Sequence, residues 1–202
     1  VSGGTSETPF LKRAYEYSNN HYFIDTVYAS KTRKVFYNYY GNPTPQVNSA
    51  LLVTDIQVWK SLNQITTDKS KERDANVYID LPPVAVGQPY PETLRETISS
   101  TVPGKTDAGR FQLLTPDVDY ILHPETGYIT FKTAINEQDI IAVAFRQEQG
   151  LGSTADDFIY GEFLAPGDTN TTQRLILKMV KPRNLQPGFK IALKLFLLEV
   201  TL

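Results

Sequence analysis

The sequence predicts a mainly β protein with minor α, an antiparallel β-sandwich-like domain preceded by a short N-terminal helical region. Three observations lead there. The chain of 202 residues carries 12 Tyr and 10 Phe, and aromatic and β-branched side chains suit pleated, half-buried surfaces. From Arg110 onward short apolar runs alternate with turn residues: RFQLL, DYILH, YITFK, IIAVAFRQ, FIYGEF, RLILKMV and FKIALKLFLL. That rhythm belongs to an antiparallel sheet, folded as a sandwich or as part of a barrel. Hydrophobic residues make up 41% of the chain, enough to fill a core, yet no apolar run approaches the ~20 residues of a membrane-spanning helix.

The elements follow in order. Thr8 and Pro9 form an N-cap and first helical position, so FLKRAYEY reads as a short helix ending near Ser18 to Asn20. Between Ile24 and Tyr40, Tyr28, Val35, Phe36 and Tyr39 share a helical face, and a second helix is expected, although Thr and Tyr are equally at home in a strand. GNPTPQ, Gly41 to Gln46, is a loop. Ala50 to Trp59 is a long strand, Thr66 to Asp74 an exposed polar loop, and Asn76 to Leu81 a strand stopped by Pro82 and Pro83. Pro91 to Ile98 suits one or two helical turns. Ser100 to Gly109 reads as a long loop. The chain is then one domain over 1–202, or two lobes, 1–104 and 105–202.

The run DYILHPETGYITF gathers a His, a Glu and an Asp, which raises the question of an active site. A hairpin explains it better. Pro124 presets φ at the start of a four-residue loop and Gly127 supplies a positive φ at its end. His123 then opposes Tyr128, Leu122 Ile129, Ile121 Thr130, Tyr120 Phe131 and Asp119 Lys132. One face is apolar (Tyr120, Leu122, Ile129, Phe131), the other mixed, with Asp119 placed to meet the Lys132 charge.

Charge and motifs exclude most other chemistry. A formal net charge of -2 gives no general pull toward nucleic acid. The interleaved cations Lys181, Arg183, Lys190 and Lys194 lack any nucleic-acid fold signature. With no Cys, disulfides and thiolate metal sites are ruled out. The two histidines, His21 and His123, stand far apart in the chain and form no zinc motif. There is no nucleophile elbow, and GLGSTADD lacks the Lys of a phosphate loop. Asp156, Asp157, Glu162 and Asp168 supply oxygen ligands without the spacing of a calcium loop. Between Glu148 and Thr172 lie five acids and no bases, and between Gln173 and Leu198 six bases and no acids. A hairpin of DDFIYGEF with QRLILKMV would neutralise both, and is expected here in place of a metal. The chain is therefore not expected to be an enzyme, and neither catalytic residues, cofactor, metal nor small-molecule substrate is assigned. The opening VSGGTSETPF is not the pattern of a secretory signal. FKIALKLFLL is apolar on both faces toward its end, as in a sandwich interior or a contact with a larger assembly.

Several stretches, in this order, resemble a known family: NSALLVTDIQVW, FQLLTPDVDYILHPETGYITF, INEQDIIAVAFR, YGEF and RLILKMVKPRNLQPGF, with a weaker match at NNHYF. Together they resemble a module of the SprA family (Sov in some relatives), the gliding-motility cell-surface proteins that form the type IX secretion outer-membrane translocon of Bacteroidota. The resemblance covers about two-thirds of the chain. One departure is KIALKLFLLEV, which has neither the Trp nor the Lys-Asn pair of the family. The resemblance implies a non-catalytic structural and interaction domain at the bacterial outer membrane, on its surface or periplasmic side. Its partners would be the rest of the parent chain and other envelope secretion proteins. A second expectation is a cell-surface carbohydrate-binding or adhesin-type module, because Trp59, Tyr39 and Tyr40 could present an aromatic platform.

Overall fold

The computed structural model describes residues 20–30, 32–62, 69–150, 152–168 and 172–185. The helix expected over FLKRAYEY and the strand expected over FKIALKLFLL lie outside them. The described elements are β1 (His21–Phe23), α1 (Val35–Tyr40), β2 (Val53–Ser61), β3 (Glu72–Tyr78), β4 (Val84–Ala85), β5 (Thr106–Leu113), β6 (Tyr120–His123), β7 (Tyr128–Phe131), β8 (Ile141–Gln147), β9 (Phe158–Tyr160) and β10 (Leu175–Lys181). Short 3-10 turns stand at Ser49–Leu51, Lys69–Lys71 and Glu92–Arg95.

The mainly β expectation holds, but its arrangement is a barrel. Strands β10, β3, β5, β2 and β8 follow one another, and β10 also pairs with β8, so five strands close on themselves. Only the β10–β3 seam is parallel; the other four are antiparallel. The end of β8 is free of β10 and pairs instead with β9, which in turn holds β4. Register shifts near Val53/Asp55 and Met179/Lys181 supply the bends that closure needs. A second sheet of three strands runs β1-β7-β6.

Alternation along the paired strands defines the two barrel faces. Trp59, Phe111, Ala75, Val77, Leu177 and Ala142 share one parity and are all fully buried. The opposite parity carries the part-exposed Lys60, Asp74 and Arg110, so the first set faces inward. Trp59 stands opposite Ala142, large against small, as the interior of a narrow barrel requires. Val58 has the outward parity, yet it is as fully buried as Trp59, at 0% exposed. Part of the outer face, around Val58, is covered too. The turn at 24–29 packs there: Tyr28 donates its hydroxyl to the Leu51 carbonyl (2.9 Å) and accepts from Gln147 Nε2 (2.9 Å).

That turn corrects the helix expected from Ile24. The Asp25 carboxylate accepts from Val27 N and Thr26 Oγ1, a side-chain turn that competes with helix. Lys34 then takes φ 50°, and only Val35–Tyr40 is helical. Glu72 and Arg73, expected in an exposed loop, open β3 and are buried. Residues expected in the loop 100–109 begin β5 at Thr106. β2 starts at Val53, later than expected, after the 3-10 turn that Asn48 caps.

Candidate functional site

The β6–β7 hairpin has the register read from the sequence, from Tyr120 opposite Phe131 to His123 opposite Tyr128. Gly127 has φ 61° and its N–H donates to the His123 carbonyl (2.9 Å). One expected contact is not made. The Asp119 carboxylate accepts from Thr115 N (2.7 Å), while Lys132 Nζ reaches the Asp117 carbonyl. The loop before β6 folds back on the strand and takes the carboxylate for its own backbone.

Tyr120, Ile129 and Phe131 of this sheet point into the core. The other face is built from His21 and Phe23 of β1, Tyr128 and Thr130 of β7, and Ile121 and His123 of β6. Helix α1 covers half of it. Phe36 meets the rings of Phe23 and Tyr128 edge-on or tilted, at 5.9 and 5.8 Å, and the Tyr40 and Tyr128 hydroxyls are 3.0 Å apart. Burial, then the Tyr40 hydroxyl, pushes the Tyr128 phenol far up. A helix of six residues is too short to persist alone, so these rings hold it.

The other half of the face is open. There His21 Nδ1 lies 2.9 Å and His123 Nε2 3.1 Å from the Thr130 hydroxyl. His123 also stacks on the Tyr128 ring at 4.0 Å. Burial lowers the pKa of both imidazoles, and for His123 the neighbouring His21 adds to it while Glu125 opposes. Sequence separation argued against joint action of the two histidines; strand β1, added beside β7, brings them together. The sequence marked this segment only through the weaker family match at NNHYF.

The expected acid–base hairpin does not form. β9 pairs with β8 and β4, whereas β10 pairs with β3 and β8. In the residues after β9, the Leu164 backbone exchanges two hydrogen bonds with the Gln57 side chain. The charges find other partners. Glu162 takes Arg95 in a two-pronged ion pair and accepts from Ile176 N (2.9 Å). Lys178 Nζ meets Asp25 Oδ2 at 2.9 Å. Lys181 Nζ donates to the carbonyls of Glu137, Asp139 and Pro182, and Arg183 meets Asp107 at 3.3 Å. Asp157 is 1% exposed, and among the described residues its charged partner is Arg146, at 3.9 Å. Burial first, then Glu148, raises its pKa.

A cleft of about 360 Å³ lies beside Tyr90, Arg95 and Glu162, with Arg73 and Asp168 at its edge. Tyr90, Arg95, Glu162 and Arg73 all bond protein groups there, although Arg73 Nε has no hydrogen-bond partner among the described residues. Tyr90 donates to the Pro82 carbonyl and accepts from Gly161 N, and its phenol is pushed up to about 12, mainly by burial. Arg73 donates to the Ser70, Glu72 and Asp168 carbonyls. Among the described residues no three His, Asp or Glu side chains gather as a metal site. No helix among them is long and apolar enough to cross a membrane, which leaves strands unaddressed.

Of the aromatic platform expected for sugars, Trp59 is lost to the barrel interior. Tyr40 remains 49% exposed and is joined by Tyr37 at 58%. The chain matches no family model and no curated protein.

Proposed function

We propose that this chain is a non-catalytic structural and interaction domain of a large outer-membrane protein-secretion and gliding-motility translocon of the SprA kind. The observation that carries this reading is the ordered set of sequence blocks. Those blocks supply β2, the β6–β7 hairpin, β8, and β10, so they specify the framework and not a catalytic loop. The buried and half-buried charges favour the same reading. Arg95, Glu162, Lys178 and Asp25 pair with each other and brace strands. The domain would work through its surfaces, at the cell surface or the periplasmic side of the outer membrane, against the rest of its parent chain and other envelope secretion proteins. The test is affinity capture from outer-membrane extract of the source organism with the tagged chain. Recovery of secretion components is expected; recovery of none would sink the reading.

A second reading has one observation of its own. Tyr37 and Tyr40 project from α1 with large exposed rings, and Tyr39 packs against Tyr40 at 4.9 Å. Such rings suit stacking on sugars in a surface carbohydrate-binding or adhesin-type module. Binding on a glycan array, lost in Tyr37→Ala with Tyr40→Ala, would favour it over the translocon reading.

A further inference from the structure

We infer that His21 and His123 form a surface site for one divalent late-transition-metal ion, of the zinc and copper class. The inference is independent of the proposed function and begins with placement. His21 of β1 stands directly opposite Thr130 of β7, and His123 of β6 stands one pair further along, opposite Tyr128. From these two flanking strands one nitrogen of each ring is directed at a single point, the Thr130 oxygen, at 2.9 and 3.1 Å. Two imidazoles converging from opposite sides of a strand make a chelating pair.

The distances are within reach of coordination. Zinc–imidazole bonds are about 2.0–2.1 Å, so both rings, each now held at hydrogen-bond distance from the same oxygen, have to turn toward an ion seated between them. Side-chain rotation supplies that, with the Thr130 hydroxyl turning aside or remaining as a weak oxygen ligand. Both rings are partly exposed, and α1 covers only the Phe23 and Tyr128 end of the face. An ion can therefore arrive from water. Ligation needs neutral imidazole, and burial lowers the proton affinity of both rings.

The donor set decides the class of ion. Imidazole nitrogens suit Zn2+, Cu2+ and Ni2+, whereas Ca2+ and Mg2+ want oxygen. No third His, Asp or Glu joins the pair among the described residues, so water completes the coordination. The site would be open and exchangeable.

The experiment titrates the whole chain with Zn2+ and, separately, Cu2+ at pH 7.5, read by calorimetry and by the imidazole proton resonances. One ion per chain is expected, with both rings shifting together and no response to Ca2+. His21→Gln and His123→Gln should each weaken binding by at least about tenfold, since even outer-shell changes cost that much. Cu2+ paramagnetic resonance on the unaltered chain should show two coordinated imidazole nitrogens, which keeps the test decisive if a variant folds poorly. Uptake absent up to millimolar metal, binding unchanged in both variants, or a copper spectrum without two nitrogens would each overturn the inference.

Discussion

At Gly127 the backbone takes φ +61°, and an added Cβ would stand 2.2 Å from the Tyr28 ring. Tyr28 cannot step back, because its hydroxyl is held by Leu51 and Gln147. Gly127→Ala therefore combines backbone strain with overpacking, and should cost about 2–4 kcal/mol; urea unfolding measures it, and a loss under ~0.5 kcal/mol would contradict the packing. Asp157 presents the opposite case. Its carboxyl is buried and its folded pKa is raised above the unfolded value. Such a group favours folding below its unfolded pKa, and that contribution is lost as pH rises through the folded pKa. Asp157→Asn removes the ionisation, so its melting temperature should exceed the wild type's at pH 7, with the difference shrinking toward pH 3. A variant less stable than wild type at pH 7 would mean that Arg146 holds the carboxylate more firmly than 3.9 Å implies.

Elements differ in how far their sequence specifies them. The β6–β7 hairpin is local: Pro124 and Gly127 set the loop, and alternation then fixes every pair down to Tyr120 and Phe131. Substitutions on its two faces should therefore rank clearly. Leu122→Asp puts a charge on the core-facing side and should cost about 3–5 kcal/mol. His123→Ala loses a stacked ring and one hydrogen bond to Thr130, about 1 kcal/mol. Thermal melts of both decide the register, and the reverse ranking would refute it. Nothing local announces the other seams. β10 lies parallel to β3, with Leu175 beside Ala75, a pairing that no turn between them encodes. The charge run of Gln173 onward is just as uninformative, because Lys178 is neutralised by Asp25 from the opposite end of the described chain. The same distance hid the His21–His123 pair. The sequence pattern reads strand, face and turn; partners that arrive from remote segments leave no trace in it.

For the whole molecule, closure of the barrel decides how the chain divides. Composition marks a break near residue 104, but the seams disregard it. β2 and β3 come before that point, and β5, β8 and β10 after it. Four of the five barrel seams, β10–β3, β3–β5, β5–β2 and β2–β8, join the two halves, and only β8–β10 lies within one. The first half alone would keep β2 and β3, which do not pair with each other. The second would expose the inward faces of Phe111, Ala142 and Leu177, which are fully buried in the whole. Neither half can satisfy its strand edges or bury its apolar face, and unpaired edges of this kind aggregate. Fragments 1–104 and 105–202 should thus show no cooperative melt when expressed separately, while the whole chain unfolds in one transition with coincident far- and near-ultraviolet signals. If either fragment gave a dispersed amide spectrum and its own sharp transition, the barrel would not be the cooperative unit, and the break near residue 104 would be a true domain boundary.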